Sequence, residues 1–211
     1  MTGRLRAVMI SVPERRRERE LTLKGLAAAG ISPEVSVQHD PERSNHAHVR
    51  HCLAAIDGRG PVLLLEDDLL IDVATMSPAV EAAAVMAEEA DTACWLYLPG
   101  DRHYPARLSP SAWAKRPVVF PLIAARRLIG SLAVVISHRV TSELATVKDP
   151  QGGFDVVLRD HLIARGRPLL GVAPNPVQHQ TGRSTIPRHT PHRAARSTTF
   201  PGQTREMREA A

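Results

Sequence analysis

Pro61-Val62-Leu63-Leu64-Leu65-Glu66-Asp67-Asp68-Leu69-Leu70-Ile71 joins an apolar run to consecutive acids. Four apolar residues in a row behind Gly60-Pro61 read as a strand covered on both faces, as in the middle of a parallel or mixed sheet. Three carboxylates stand at its end. Adjacent acids beside an apolar strand repel one another, and a cation between them removes that cost. Hard oxygen ligands suit Mg²⁺ or Mn²⁺, and in an open α/β sheet ligands gather beyond the carboxyl ends of the strands. A solvated acidic turn would look the same in isolation, so the neighbouring segments have to decide.

Upstream, residues 6–12 read as a first strand that stops at Pro13. Residues 14–29 have helical character, with Leu21, Leu23, Leu26 and Ala27 available for an inward face, Arg15, Arg16, Arg17 and Arg19 on the first turns, and Gly30 as a C-terminal stop. A short strand at 33–37 completes a strand–helix–strand opening, the start of an α/β unit. Residues 40–56 read as a loop leading into a helix that Ser44 or Asn45 can cap. His46, His48 and His51 are close in sequence, yet only His48 and His51 share a helix face. No cysteine or carboxylate completes a zinc signature there.

Downstream, Thr75-Met76-Ser77-Pro78 reads as the opening of an alanine-rich helix running to about Ala90, with the proline in the tolerated first turn. Residues 93–98 read as a strand broken by Pro99-Gly100. The segment 100–117 has no clear period and carries Arg102, His103, Tyr104, Arg107 and Trp113, which marks it as a partly ordered loop on the substrate side. Strand character returns at 118–123 and 132–136, the second entered through Gly130-Ser131, where a glycine permits close backbone approach. Ser137 or His138 can cap the next helix, to about Val147. Gly152-Gly153 then leads into an amphipathic helix with Asp155 on its first turn, a charge–dipole arrangement worth about 0.3–1 kcal/mol whatever else it does. A short last strand at 168–174 is followed by Asn175-Pro176-Val177-Gln178-His179-Gln180-Thr181-Gly182-Arg183-Ser184.

With 211 residues, 43% of them hydrophobic, the chain can build one domain with a full core, here residues 1–184. Residues 185–211 change to Pro, Thr, Ser, Arg and His and read as a basic tail too poor in apolar residues to fold alone. No apolar run approaches the roughly 20 residues of a membrane span, and the first residues lack a signal-peptide core, so a soluble, cytoplasmic protein is expected. Cys52 and Cys94 have neither CxxC spacing nor partners and read as buried thiols. The net charge of +5 favours an anionic partner without choosing among nucleotide sugars, nucleic acids and acidic glycans.

Taken together, these segments resemble nucleotide-sugar glycosyltransferases with the GT-A fold. The resemblance rests on the Glu66-Asp67-Asp68 strand end, the glycine-led strand behind Gly130-Ser131, the acid-led helix at Asp155, and an ending similar to the family's Pro-x-x-x-x-His-x-Gly-x-Ser, here with one extra residue between His179 and Gly182. It implies an α/β fold: one GT-A-like, Rossmann-like domain with a central mixed, mostly parallel sheet flanked by helices. It also implies transfer of a sugar from a nucleoside-diphosphate sugar, expected to be a UDP-sugar, to an acceptor hydroxyl, with Mn²⁺ or Mg²⁺ as cofactor. Asp68 and His179 would hold the metal, and Asp155 would be the base facing the acceptor if the enzyme inverts. Ser11, Val12, Pro13, Arg15, Asn45, Glu66, Asp67, Gly130, Ser131, Gly182, Arg183 and Ser184 would line the donor, with Glu66 and Asp67 orienting Asp68 and binding ribose. The carboxylates and His179 are then expected within about 7 Å of one another. The arginine-rich tail suggests a polyanionic acceptor such as a modified base in phage DNA; a cell-envelope glycan or a small molecule is the alternative. A nucleotidyltransferase would show a Gly-rich, Lys-containing phosphate loop after its first strand, which Pro13-Glu14-Arg15-Arg16 is not. A non-catalytic nucleic-acid-binding protein would have no use for acids on a buried strand, and an inactive transferase fold is the remaining rival.

Overall fold

The structure is a computed structural model that describes residues 4–39, 45–56, 59–98, 116–122, 133–147 and 153–180. In chain order the elements are β1 (Arg6–Ser11), a 3-10 turn (Pro13–Arg15), α1 (Arg16–Ala28), β2 (Glu34–Val37), α2 (Asn45–Ala54), β3 (Val62–Glu66), β4 (Leu69–Ile71), α3 (Val73–Glu89), β5 (Ala93–Trp95), β6 (Val118–Pro121), β7 (Ala133–Ile136), α4 (His138–Ala145), α5 (Phe154–Ala164), β8 (Leu169–Ala173) and β9 (Val177–His179). Seven strands form one sheet in the order β2-β1-β3-β7-β5-β8-β6. β1 is parallel to β2 and to β3, and β5 is parallel to β8. β7 runs against both its neighbours and β6 against β8. Five of the seven strands therefore point the same way, and the sheet is mixed.

β3, which carries the Val62–Leu65 run, is an interior strand of this sheet, between β1 and β7. Val62, Leu63, Leu64 and Leu65 are all fully buried. Alternation along the strand splits them between two cores. Val62 and Leu64 face Val49 and Leu53 of α2, Val140 and Leu144 of α4, and Phe154, Leu158 and Leu162 of α5. Leu63 and Leu65 face Leu26 of α1 and Met76, Ala79, Val80 and Ala83 of α3. The result is a helix–sheet–helix sandwich, with the carboxyl ends of β1 and β3 side by side.

Two helices differ from their expected form. α1 turns Thr22 and Leu26 inward and leaves Leu21 53% exposed, with Ala27 on the solvent side as well. The buried threonine displaces the expected leucine because the segment beneath it is polar backbone, as described below. α3 begins at Val73, since Asp72 caps it by accepting from the Thr75 amide at 3.0 Å and the Thr75 hydroxyl at 2.7 Å. Pro78 consequently lies inside the helix and not in its first turn. Ser137 caps α4 by accepting from the Val140 amide. Cys52 and Cys94 are buried free thiols, and burial pushes the Cys94 thiol far up.

A second, two-stranded sheet was not anticipated. β4, directly after the acids, pairs antiparallel with β9, so that Leu69 lies opposite His179 and Ile71 opposite Val177. α1 rests against β4 so closely that a Cβ on Gly25 would meet the Ile71 Cβ at 2.9 Å.

Candidate functional site

The acids leave β3 in alternate directions, as the pleat requires. Asp67, almost wholly buried, turns towards β1. It accepts from the Ser11 hydroxyl at 2.6 Å, the Val12 amide at 3.3 Å and Arg15 Nη1 at 3.1 Å. Glu66 turns towards the opposite face, where the Asp155 carboxylate at the start of α5 is near enough for its charge to be felt. Burial first, then the charge of Asp68, raises the Glu66 carboxyl to about 8, against the opposing pull of Arg15.

Asp68 lies between these two. Its Oδ2 accepts from Arg15 Nη1 at 2.7 Å and stands 3.3 Å from His179 Nε2. Its Oδ1 is buried and has no hydrogen-bond partner among the described residues. Burial raises the Asp68 carboxyl, with His179 and Arg15 opposing. His179 Nδ1 donates to the Gln180 carbonyl, so in the neutral ring the lone pair of Nε2 faces Asp68. One lone pair on imidazole and two oxygens on carboxylate, one of them orphaned, form a donor set that fits a hard or borderline divalent cation. Among the described residues no three His, Cys, Asp or Glu side chains converge on one point, so such an ion would draw its remaining ligands from substrate and water.

What brings Asp68 and His179 together from distant parts of the chain is the β4–β9 ladder and the polar seam beneath it. Gln180 N donates to Asp68 O at 2.8 Å. The Thr22 hydroxyl lies 2.8 Å from Asp67 O and 3.0 Å from Leu69 O, and accepts from Leu69 N at 3.0 Å. Gln180 Nε2 donates to Leu69 O at 2.9 Å and Thr22 Oγ1 at 3.1 Å. Arg19 Nη1 reaches Ser11 Oγ at 2.6 Å and Val12 O. Thr22, Gln180 and Arg19 were missed in the sequence. A threonine inside an otherwise apolar helix face was the one available sign.

Of the residues expected at the donor, Ser11, Val12 and Arg15 surround Asp67 and Asp68, and Pro13 opens the exposed 3-10 turn beside them. The cation between the acids is Arg15. Asp67, tied to Ser11, Val12 and Arg15, also joins the end of β3 to the β1–α1 turn. Asn45 is the first residue of α2. Gly130, Ser131, Gly182, Arg183 and Ser184 lie outside the described residues, as do the segment 100–115 and the basic tail. His48 is held by the Ser36 hydroxyl at 2.9 Å and His46 stacks on Phe154, so these two histidines are core residues.

No protein-family model matches this chain, and no curated protein does. Among solved structures it is similar to the inositol-1-phosphate CTP transferase from T. maritima, at 14% sequence identity and a TM-score of 0.39. The match covers 79% of this chain and 65% of that one, so the chain spans less than two thirds of its neighbour's length.

Proposed function

We propose that the chain is a metal-dependent glycosyltransferase that moves a sugar from a nucleoside-diphosphate sugar to an acceptor hydroxyl. The observation that carries this reading is the pairing of Asp68, with its buried unsatisfied oxygen, and His179, at the carboxyl end of the central strand and beside the β1–α1 turn. Asp68 and His179 would hold Mn²⁺ or Mg²⁺, which when bound offsets the charge that develops on the departing diphosphate. Ser11, Val12 and Arg15 form the wall against which a nucleotide would lie, and Asn45, Gly130, Ser131, Gly182, Arg183 and Ser184 are proposed to complete it.

Asp155 is the proposed general base. It lies in the first turn of α5, beside the free amides of the helix N-terminus. It also neighbours Glu66, whose carboxyl is pushed up by burial and the charge of Asp68, and which is proposed to orient Asp68 and bind ribose. The acceptor is proposed to be polyanionic, a modified base in phage DNA, contacted by the arginines of residues 185–211; a glycan or a small molecule is the outcome if the tail does not bind.

Isothermal titration with UDP in the presence and absence of Mn²⁺ tests the reading. Mn²⁺-dependent UDP binding that Asp68→Ala abolishes, with the circular dichroism spectrum unchanged, is the expected result. Failure to bind UDP under any condition, together with tight duplex DNA binding, would instead identify a nucleic-acid-binding module.

A further inference from the structure

We propose that Arg15 is a resident counter-ion of Asp68 that is exchanged for the diphosphate of the nucleotide, so that the divalent metal binds well only once the diphosphate has drawn Arg15 away. The inference rests on the metal-site reading given above and adds an order to its ligands.

One nitrogen, Arg15 Nη1, bridges the two acids, at 2.7 Å from Asp68 Oδ2 and 3.1 Å from Asp67 Oδ1. That Asp68 oxygen is the one His179 Nε2 also faces, at 3.3 Å. A cation bound by Asp68 and His179 would therefore contend for the oxygen that Arg15 already occupies, and would sit beside a fixed positive charge. The two cations are alternatives.

The two acids respond differently to losing Arg15. Asp67 keeps the Ser11 hydroxyl at 2.6 Å and the Val12 amide at 3.3 Å, so it stays satisfied. Asp68 has an orphaned Oδ1 already and would be left facing only the imidazole. Departure of Arg15 thus opens a site that needs a cation at Asp68 and nowhere else. The move is short and local. Arg15 ends a 3-10 turn whose other residues, Pro13 and Glu14, are exposed, and its long side chain has the rotamers to swing the guanidinium towards that side. Outside, it needs an anion with paired oxygens, and a diphosphate supplies that fork-to-fork match. Because the two ligands act on one switchable ion pair, the diphosphate and the metal must each tighten the other by the same factor.

Mn²⁺ binding measured by calorimetry, without any transferase assay, tests the exchange. In the absence of UDP, Arg15→Gln is expected to bind Mn²⁺ at least tenfold more tightly than the native chain, and Arg15→Lys, which keeps the charge but cannot fork, about threefold more tightly. Arg16→Gln removes an equal charge one residue further on, from an exposed side chain that pairs with Glu20 at 2.9 Å and not with the acids, and should stay within about twofold of native. Native protein should gain at least tenfold in Mn²⁺ affinity when UDP is added, and Arg15→Gln a smaller factor. Unchanged Mn²⁺ affinity in both Arg15 variants, or an equal gain in Arg16→Gln, overturns the exchange while leaving the metal site standing. Absence of Mn²⁺ binding in every variant, with and without UDP, refutes the metal site itself and the exchange with it. Should Arg15→Gln fail to fold by circular dichroism, Arg15→Lys against Arg16→Gln decides by the same criterion.

Discussion

Thr22→Val removes one oxygen from the buried seam beneath the acids and changes almost nothing else in shape. The Thr22 hydroxyl is wholly inaccessible to solvent and serves several groups at once. It accepts from Leu69 N at 3.0 Å and from Gln180 Nε2 at 3.1 Å, and its single proton has the carbonyls of Asp67, Leu69 and Glu18 within reach at 2.8, 3.0 and 3.1 Å, of which Asp67 is nearest. In the valine variant Gln180 Nε2 keeps Leu69 O at 2.9 Å and Glu18 O at 3.2 Å, and Leu69 O keeps Gln180. The Leu69 amide is the group deprived of the acceptor it uses, and it lies where water does not reach. Leaving one buried donor unsatisfied costs about 1–3 kcal/mol, so a loss of about 2 kcal/mol is expected. For a chain of this size that lowers the melting temperature by about 4–8 °C. Thr22→Ser, which keeps the oxygen and loses a methyl group, should cost about 1 kcal/mol. Urea unfolding of the three proteins measures both. A valine variant as stable as the serine variant would refute the seam, since burial of an extra methyl would then outweigh the hydrogen bonds. The same substitution should weaken Mn²⁺–UDP binding, because Leu69 carries the strand that sets Asp68 against His179.

Asp155→Asn keeps shape and removes basicity, so UDP binding should survive in calorimetry while the transfer rate falls by two orders of magnitude or more; equal loss of both would make Asp155 a helix cap. Gly153→Ala places a Cβ 2.7 Å from Asp155 Oδ1 at a backbone with φ of −74°, which alanine accepts, so the carboxylate must shift although the fold need not. A rate at least tenfold lower with a melting temperature changed by only a few degrees is expected, and a native rate would show that the carboxylate's position is immaterial. Glu143 is held by a pair of hydrogen bonds from Arg167 at 2.8 and 2.9 Å and one from His161 at 2.7 Å, which lower its carboxyl to about 2. Its folded value lies below its ordinary one, so the stability it contributes is complete above about pH 5 and is lost as pH falls towards 2. Since the network is partly solvated, we expect about 1–2 kcal/mol at pH 7, and the stability gap between native and Glu143→Gln should shrink by more than half at pH 3. A gap that does not change with pH would remove Glu143 as a charged anchor.

Much of the frame was legible because it depends on local rules. The Val62–Leu65 run could only be satisfied by cover on both faces, and it received cover from α2, α4 and α5 on one side and α1 and α3 on the other. The β1–α1–β2 opening, the Ser137 cap and the acid at the head of α5 follow from patterns that reach no further than one element. The need for a cation beside Asp67 and Asp68 was also legible, being a matter of charge alone. Its identity was not. Arg15 and its helical neighbours are equivalent on paper, and only the angle at which the 3-10 turn leaves β1 aims Arg15, and not Arg16 or Arg17, at the acids. Leu69 and Gln180 are 111 positions apart, and two three-residue strands have no periodicity that could announce their pairing. That ladder is held by a threonine on one helix and a glutamine beyond the last strand, bonds that exist only after both cores have formed. Local pattern therefore placed the acids at a strand end, while the meeting of Asp68 with Arg15 and His179 depended on contacts between segments that no short-range rule connects.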